Sequence, residues 1–155
     1  RISGGLWQKV RSTCPGDGAS PRRFWGTIAA LVAMNLALFV FYPGDDTPVC
    51  TRQLNSYNEG IEQFAELDAQ VVAISAQDVA SHDAFSDKHG FQFPLLADVD
   101  KEVANAYGTL GPIGFPRRSV FIIDADGIVR YAHRAIAGLT FRPVKELVAE
   151  LQKLS

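Results

Sequence analysis

From Met34 onward, short fully apolar or β-branched runs alternate with segments whose apolar residues recur every three or four positions. That alternation predicts an α/β domain: a central mixed sheet flanked by helices. Residues 35–42, N-L-A-L-F-V-F-Y, are apolar on both parities and end at Pro43 and Gly44, which predicts a central strand buried on both faces. Leu54, Tyr57, Ile61, Phe64 and Leu67 then mark one face of a helix. Gln70–Ala76 is a second strand, Val79–His89 a helix closed by Gly90, Phe93–Ala97 a short strand and about Asp100–Tyr107 a small helix. Arg118–Asp124 and Ile128–Arg134 flank the turn A-D-G and predict an antiparallel hairpin with Gly127 at the permissive position. A last helix carries the stripe Val144, Leu147, Val148, Leu151 and Leu154, with Pro143 in its first turn.

The first strand delivers the chain to F-Y-P-G-D-D-T-P-V-C, residues 41–50. Thr47 is a good N-cap, Pro48 suits the first helical position, and Cys50 falls at the third. A sulfur there faces amide N–H groups that have no intrahelical partner, at the positive end of the helix dipole. Thiols so placed can titrate at about 3.5–7.5 instead of about 8.5, which makes Cys50 the candidate nucleophile. It also lies at the carboxyl end of a strand, the edge of an open α/β sheet where ligands usually bind. The alternative is a buried inert thiol, although such a residue has no need of the Pro-Gly turn and Thr-Pro start before it.

Composition narrows the field. The chain of 155 residues carries 15 Lys and Arg against 17 Asp and Glu, a formal net charge of -2, with no basic stripe, so nucleic acid is not expected as a partner. Two cysteines, Cys14 and Cys50, without C-x-x-C or clustered histidines, make neither a disulfide-stapled scaffold nor a zinc site, and they fit a reducing compartment. His82, His89 and His133 are scattered and are expected on surface faces. Asp45 and Asp46 read as ordinary turn residues, and Asp98 and Asp100 as residues that shape a loop and start a helix.

F-Y-P-x-x-x-T-P-x-C-T, followed by V-V-A-I-S, F-P-L-L-A-D, A-x-x-Y-G at Ala104–Gly108, R-S-V-F-I-I-D and D-A-D-G-x-V, in that order, resembles the peroxiredoxins of the bacterioferritin-comigratory or related bacterial groups. The resemblance covers roughly residues 35–155 and implies a thioredoxin-like fold. It implies that Cys50 is the peroxidatic nucleophile, which attacks a peroxide oxygen and becomes a sulfenic acid. Thr47 would direct its hydroxyl to the sulfur and the peroxide, Pro43 would shield the sulfur from water, and Arg118 would supply the fixed cation. No metal or organic cofactor is implied. Arg117 and Arg118 compete for the cationic role. The family spacing to Phe121 selects Arg118, whose side chain should point to the opposite strand face from its neighbour; either arginine could instead simply solvate a strand end.

The slot five residues after Cys50 holds Asn55, and no cysteine follows Cys50, which favours a one-cysteine cycle. An external thiol or a thioredoxin-type protein would then reduce the sulfenate through a mixed disulfide. Cys14, in a Pro/Gly-rich segment outside the matching region, is a minor alternative resolving thiol. A homodimer is a candidate assembly. A non-catalytic redox sensor or scaffold of the same fold is the competing functional class.

Residues 1–33 depart from the family, whose usual N-terminal hairpin with A-P-x-F-x-L has no counterpart here. Phe24–Tyr42 is uncharged, preceded by Arg22 and Arg23, and long enough to span a bilayer. Residues 35–42 are needed as the central strand, however, and Phe24–Met34 alone is too short to span. The expectation is therefore an atypical segment over 1–33, a peroxiredoxin domain over 34–155, a cytoplasmic location and no membrane anchor.

Overall fold

The computed structural model describes residues 36–136 and 140–155. The expected atypical segment 1–33, with Cys14, lies outside them. Five strands form one mixed sheet in the order β3-β2-β1-β4-β5. β1 (Leu36–Phe41), β2 (Ala69–Ser75) and β3 (Leu95–Ala97) are parallel, while β4 (Ser119–Asp124) runs antiparallel to β1 and β5 (Val129–Arg134) antiparallel to β4. The helices are α1 (Pro48–Glu59), α2 (Ile61–Ala65), α3 (Val79–His89), α4 (Glu102–Ala106) and α5 (Val144–Gln152). None of the helices among the described residues is long and apolar enough to cross a membrane.

β1 is central, which is why its run is apolar on both parities. Leu36, Leu38, Val40 and Tyr42 face a core shared with Cys50, Leu54 and Tyr57 of α1, Phe64 of α2, Phe85 of α3, and Leu147 and Leu151 of α5. Phe39 and Phe41 face the other side, against Val103 and Ala104 of α4 and Tyr107 beyond it. There Phe41, Tyr107 and Phe121 pack edge-on or tilted with ring centroids 4.9–5.7 Å apart, the arrangement aromatic quadrupoles favour.

Local signals account for most boundaries. Asp78 caps α3 by accepting from the Ser81 amide at 2.8 Å, and Gly90 ends it at φ 66, a conformation that glycine adopts without a Cβ penalty. The buried Asp98 carboxylate accepts from the amides of Val103 and Ala104, so it does start a helix as expected. In the β4–β5 turn Gly127 sits at φ 75, and Asp124 Oδ1 accepts from the amides of Asp126 and Ile128.

Three expectations need correction. The stripe Leu54–Leu67 is not one helix: the chain breaks at Gly60, so Leu54 and Tyr57 lie in α1, Ile61 and Phe64 in α2, and Leu67 beyond it. Pro143 is the N-cap of α5 instead of lying in its first turn, and Leu154 lies beyond the helix and is exposed. His82 is 2% exposed, not a surface residue.

Glycine at position 60 has a tertiary reason: a Cβ there would lie 2.7 Å from Val144 Cγ1, so α5 packs directly on the bare backbone. Gly60→Ala is expected to destabilise the protein by about 1–3 kcal/mol, because overpacking against a stiff β-branched side chain exceeds the roughly 0.4–1 kcal/mol gained by restricting the unfolded chain. A lower urea midpoint, partly restored by adding Val144→Ala, is the expected observation. An unchanged midpoint would show that α5 shifts freely.

Candidate active site

Sheet topology brings the site together. Because β4 is antiparallel to β1, its first residues lie beside the carboxyl end of β1, with Ser119 opposite Phe41. Arg118 precedes Ser119, and its backbone carbonyl is held by the Ala135 amide at 2.8 Å. Val120 and Ile122 share the core face with Cys50, and the pleat puts Arg118 on that same face. The result is a hydrogen bond from Arg118 Nη1 to Cys50 Sγ of 2.9 Å, with the cysteine 0% and the arginine 6% exposed.

Arg117 points elsewhere, its Nη2 lying 3.5 Å from the Gly108 carbonyl oxygen. The two arginines thus diverge as the strand pleat requires. Cys50 is a free thiol in the first turn of α1. The amides of Val49 and Cys50, ahead of the first intrahelical bond from Thr51 N–H to Thr47 O at 2.9 Å, have no acceptor within the helix.

The other two expected site residues are nearby but less engaged. Thr47 occupies the N-cap position with extended backbone, yet its side chain makes no capping bond; the exposed hydroxyl donates to the Gly44 carbonyl at 3.2 Å. Pro43 is half-buried at the head of the same loop. Neither makes the direct polar contact with sulfur that Arg118 makes.

Asp45 and His82 are the residues that sequence reasoning missed. The Asp45 side chain is 4% exposed, and its carboxylate accepts from the hydroxyls of Tyr42 and Ser81, each at 2.7 Å, and from His82 Nδ1 at 2.8 Å. Asp45 therefore is not an ordinary turn residue. Burial alone would push its carboxyl up, but hydrogen bonds from His82, Ser81 and Tyr42 outweigh that and hold it below its ordinary value of 3.8. Burial, reinforced by the same carboxylate, pushes the Tyr42 hydroxyl far up. Asp46, at φ 55, turns outward to Lys88 in an exposed ion pair of 2.6 Å that contributes about 0–1 kcal/mol.

One signal for His82 was present. It lies three residues before Phe85, on the same helical face as that buried ring. Among the described residues no group of three or more His, Cys, Asp or Glu side chains is placed to hold a metal ion.

The depressed carboxyl has a stability consequence. The stabilisation from ionised Asp45 is fully present above the ordinary carboxylate range and is lost as pH falls through the lower folded value. Asp45→Asn is therefore expected to be less stable than wild type at pH 7, with the gap closing toward pH 3. Urea midpoints of both proteins at the two pH values check this; a gap that stays constant would show that ionisation is not what matters.

The sequence model of the AhpC/TSA family matches residues 27–132. The chloroplastic peroxiredoxin Q of Arabidopsis thaliana is 33% identical over 116 residues, covering 74% of this chain and 52% of that protein. The chain spans about half the length of the first curated relatives it matches. Among solved structures, peroxidoxin BcpB from Mycobacterium tuberculosis has a TM-score of 0.74 at 27% identity, covering 83% of this chain and 85% of that one. The bacterioferritin comigratory protein of Xanthomonas campestris, for which alkyl peroxide reduction activity is described, has a TM-score of 0.72 at 28% identity, covering 79% of this chain and 82% of that one.

Proposed function

The chain belongs to the AhpC/TSA family and has the thioredoxin-like peroxiredoxin fold, and from that premise we propose that it is a thiol-dependent peroxidase acting on hydrogen peroxide and organic hydroperoxides. The observation that carries the reading is the buried 2.9 Å contact between the Arg118 guanidinium and Cys50 Sγ. A core thiol with a structural role alone gains nothing from a desolvated cation, whereas a sulfur that must react as an anion gains charge compensation already in place.

In the first half-reaction the Cys50 thiolate attacks one oxygen of the peroxide, an S–O bond forms and the O–O bond breaks. The departing oxygen leaves with the electron pair and takes up a proton, as water or an alcohol. Sulfur is oxidised by two electrons to the sulfenic acid, and the peroxide is reduced by two. Negative charge moves from sulfur to the departing oxygen, so donors fixed beforehand on both atoms lower the barrier. Arg118 is in place for the sulfur. The amides of Val49 and Cys50 and the Thr47 hydroxyl are the donors and acceptor assigned to the peroxide oxygens, the hydroxyl's lone pairs being open to accept a peroxide O–H while its proton is held on Gly44. Pro43 shields the sulfenate from bulk water.

In the second half-reaction two external thiols return the sulfenic acid to the thiol, releasing water and forming their own disulfide, through a mixed disulfide with Cys50. Cys50 is the one cysteine among the described residues, which supports the one-cysteine cycle and an external small thiol or thioredoxin-type reductant. A reducing compartment such as the cytoplasm would supply either.

The test is the full chain with hydrogen peroxide and dithiothreitol, following peroxide consumption and dimedone trapping of a sulfenate at Cys50 by mass spectrometry. Consumption continuing over many turnovers, with the trap confined to Cys50, is the expected result. A sulfenate that forms once without turnover would leave the sensor reading in its place.

A further inference from the structure

The loop between β1 and Cys50 is anchored by buried polar side chains that the chemistry above does not use. Four side chains converge on Asp45. Tyr42 donates from the end of β1, Ser81 and His82 donate from α3, and the Gln77 side-chain oxygen accepts from the Asp45 backbone N–H. The far side of the His82 ring is fixed as well, with Nε2 at 3.2 Å from the Leu96 carbonyl oxygen of β3 and 3.4 Å from Ser75 Oγ of β2. Asp45 lies 37 residues from His82 in the chain, so this is a tertiary clamp and not a local turn motif.

An ionised carboxylate buried this way is a poor device for stability alone, since well-packed apolar groups of similar volume usually serve as well. What it does supply is direction. Thr47 takes its hydroxyl position from Gly44, to whose carbonyl it is bonded, and Gly44 precedes the clamped Asp45. Tyr42, which donates to Asp45, packs in the same buried cluster as Cys50. Pro43 lies between these fixed points.

We propose that Asp45 and His82 are positioning residues for the reaction at Cys50: without touching peroxide, they hold Pro43 and Thr47 in register over the sulfur. The inference rests on the reading of Cys50 as the peroxidatic thiol. Misplacing a reacting geometry by about 1 Å is enough to cost on the order of 100-fold in rate, so a clamp remote from the sulfur has leverage on the chemistry.

The test compares two electrophiles on wild type, Asp45→Ala, Asp45→Asn and His82→Gln, all as the full chain. Sulfenate formation with hydrogen peroxide depends on the placed loop, whereas alkylation by iodoacetamide reads the nucleophile without needing that loop. Asp45→Ala is expected to slow the peroxide reaction about 10- to 100-fold while alkylation stays above about a third of the wild-type rate, and Asp45→Asn, which keeps the shape and one acceptor oxygen, recovers part of the loss.

If Asp45→Ala does not fold by circular dichroism, the other two variants decide, each expected to show a peroxide-selective loss of at least about threefold. Peroxide rates within about twofold of wild type in the folded variants, or peroxide and alkylation rates falling in parallel, would overturn the positioning role. A wild-type peroxide rate no faster than that of free cysteine would overturn the peroxidase reading itself, and the positioning role with it.

Discussion

Cys50→Ser is expected to consume no hydrogen peroxide above the uncatalysed background while keeping the wild-type fold. A serine hydroxyl is un-ionised at neutral pH and its oxygen has no accessible sulfenate state, so the first half-reaction has no acceptor for the peroxide oxygen. The fold should persist because the substitution is near-isosteric, and the serine oxygen can accept the Arg118 hydrogen bond that sulfur accepts now. Peroxide consumption with dithiothreitol, beside circular dichroism of both proteins, checks this. Cys14→Ser is the companion variant and is expected to retain turnover, because an external thiol completes the cycle. Consumption by Cys50→Ser at a tenth of the wild-type rate or more would move the chemistry to another residue.

Arg118→Ala carries the second-largest expectation: a fall in the rate of Cys50 oxidation of about 100- to 1000-fold, the range seen when one preorganised charge-stabilising donor is removed from a desolvated site. The guanidinium is 6% exposed, so water has little room to substitute for it without new space being opened. Arg118→Lys should recover only part, since an ammonium cannot bond the sulfur and keep the other directions of a planar five-donor fork. Stopped-flow oxidation of the three proteins across pH 4 to 9 measures the effect. Arg117→Ala, whose side chain points to Gly108, should stay within about twofold of wild type. A loss of less than about tenfold in Arg118→Ala would leave the 2.9 Å contact as a packing feature.

Legibility in the sequence follows the range of the interactions. β1 was readable because a strand covered on both faces must be apolar at every position, and α3 because its stop at Gly90 acts within a few residues. The Pro48–Cys50 start of α1 was readable for the same reason, since helix entry is decided locally. The need for a bare backbone at Gly60 was not, because the side chain that excludes a Cβ there, Val144, arrives from the far end of the chain. The Thr47 cap was half-readable: the backbone adopts the capping position, but the Gly44 carbonyl competes successfully for the hydroxyl.

Within the site, Cys50 announced itself through helix geometry, and Arg118 through its spacing to Phe121 in the resembling family; the antiparallel pairing of β4 with β1 is what brings the two together. Asp45 and His82 were passed over because an Asp in a turn and an isolated His are most often solvated. Nothing near either residue in sequence says that they meet.

The complete enclosure of Cys50 makes the two half-reactions unequal in what they ask of the protein. On the proposed peroxidase reading, the oxidising substrate is a two-oxygen unit that asks for little space. A reductant must bring its own sulfur to a bond length of about 2.05 Å from one packed among Tyr42, Leu54 and Arg118. On the proposed reading, that approach needs more room around Cys50 than the closed site leaves. If the proposed cycle holds, regeneration is expected to level off as reductant is raised, limited by opening of the site. The lifetime of the oxidised protein would then be set by its own clock and not by the thiol pool around it.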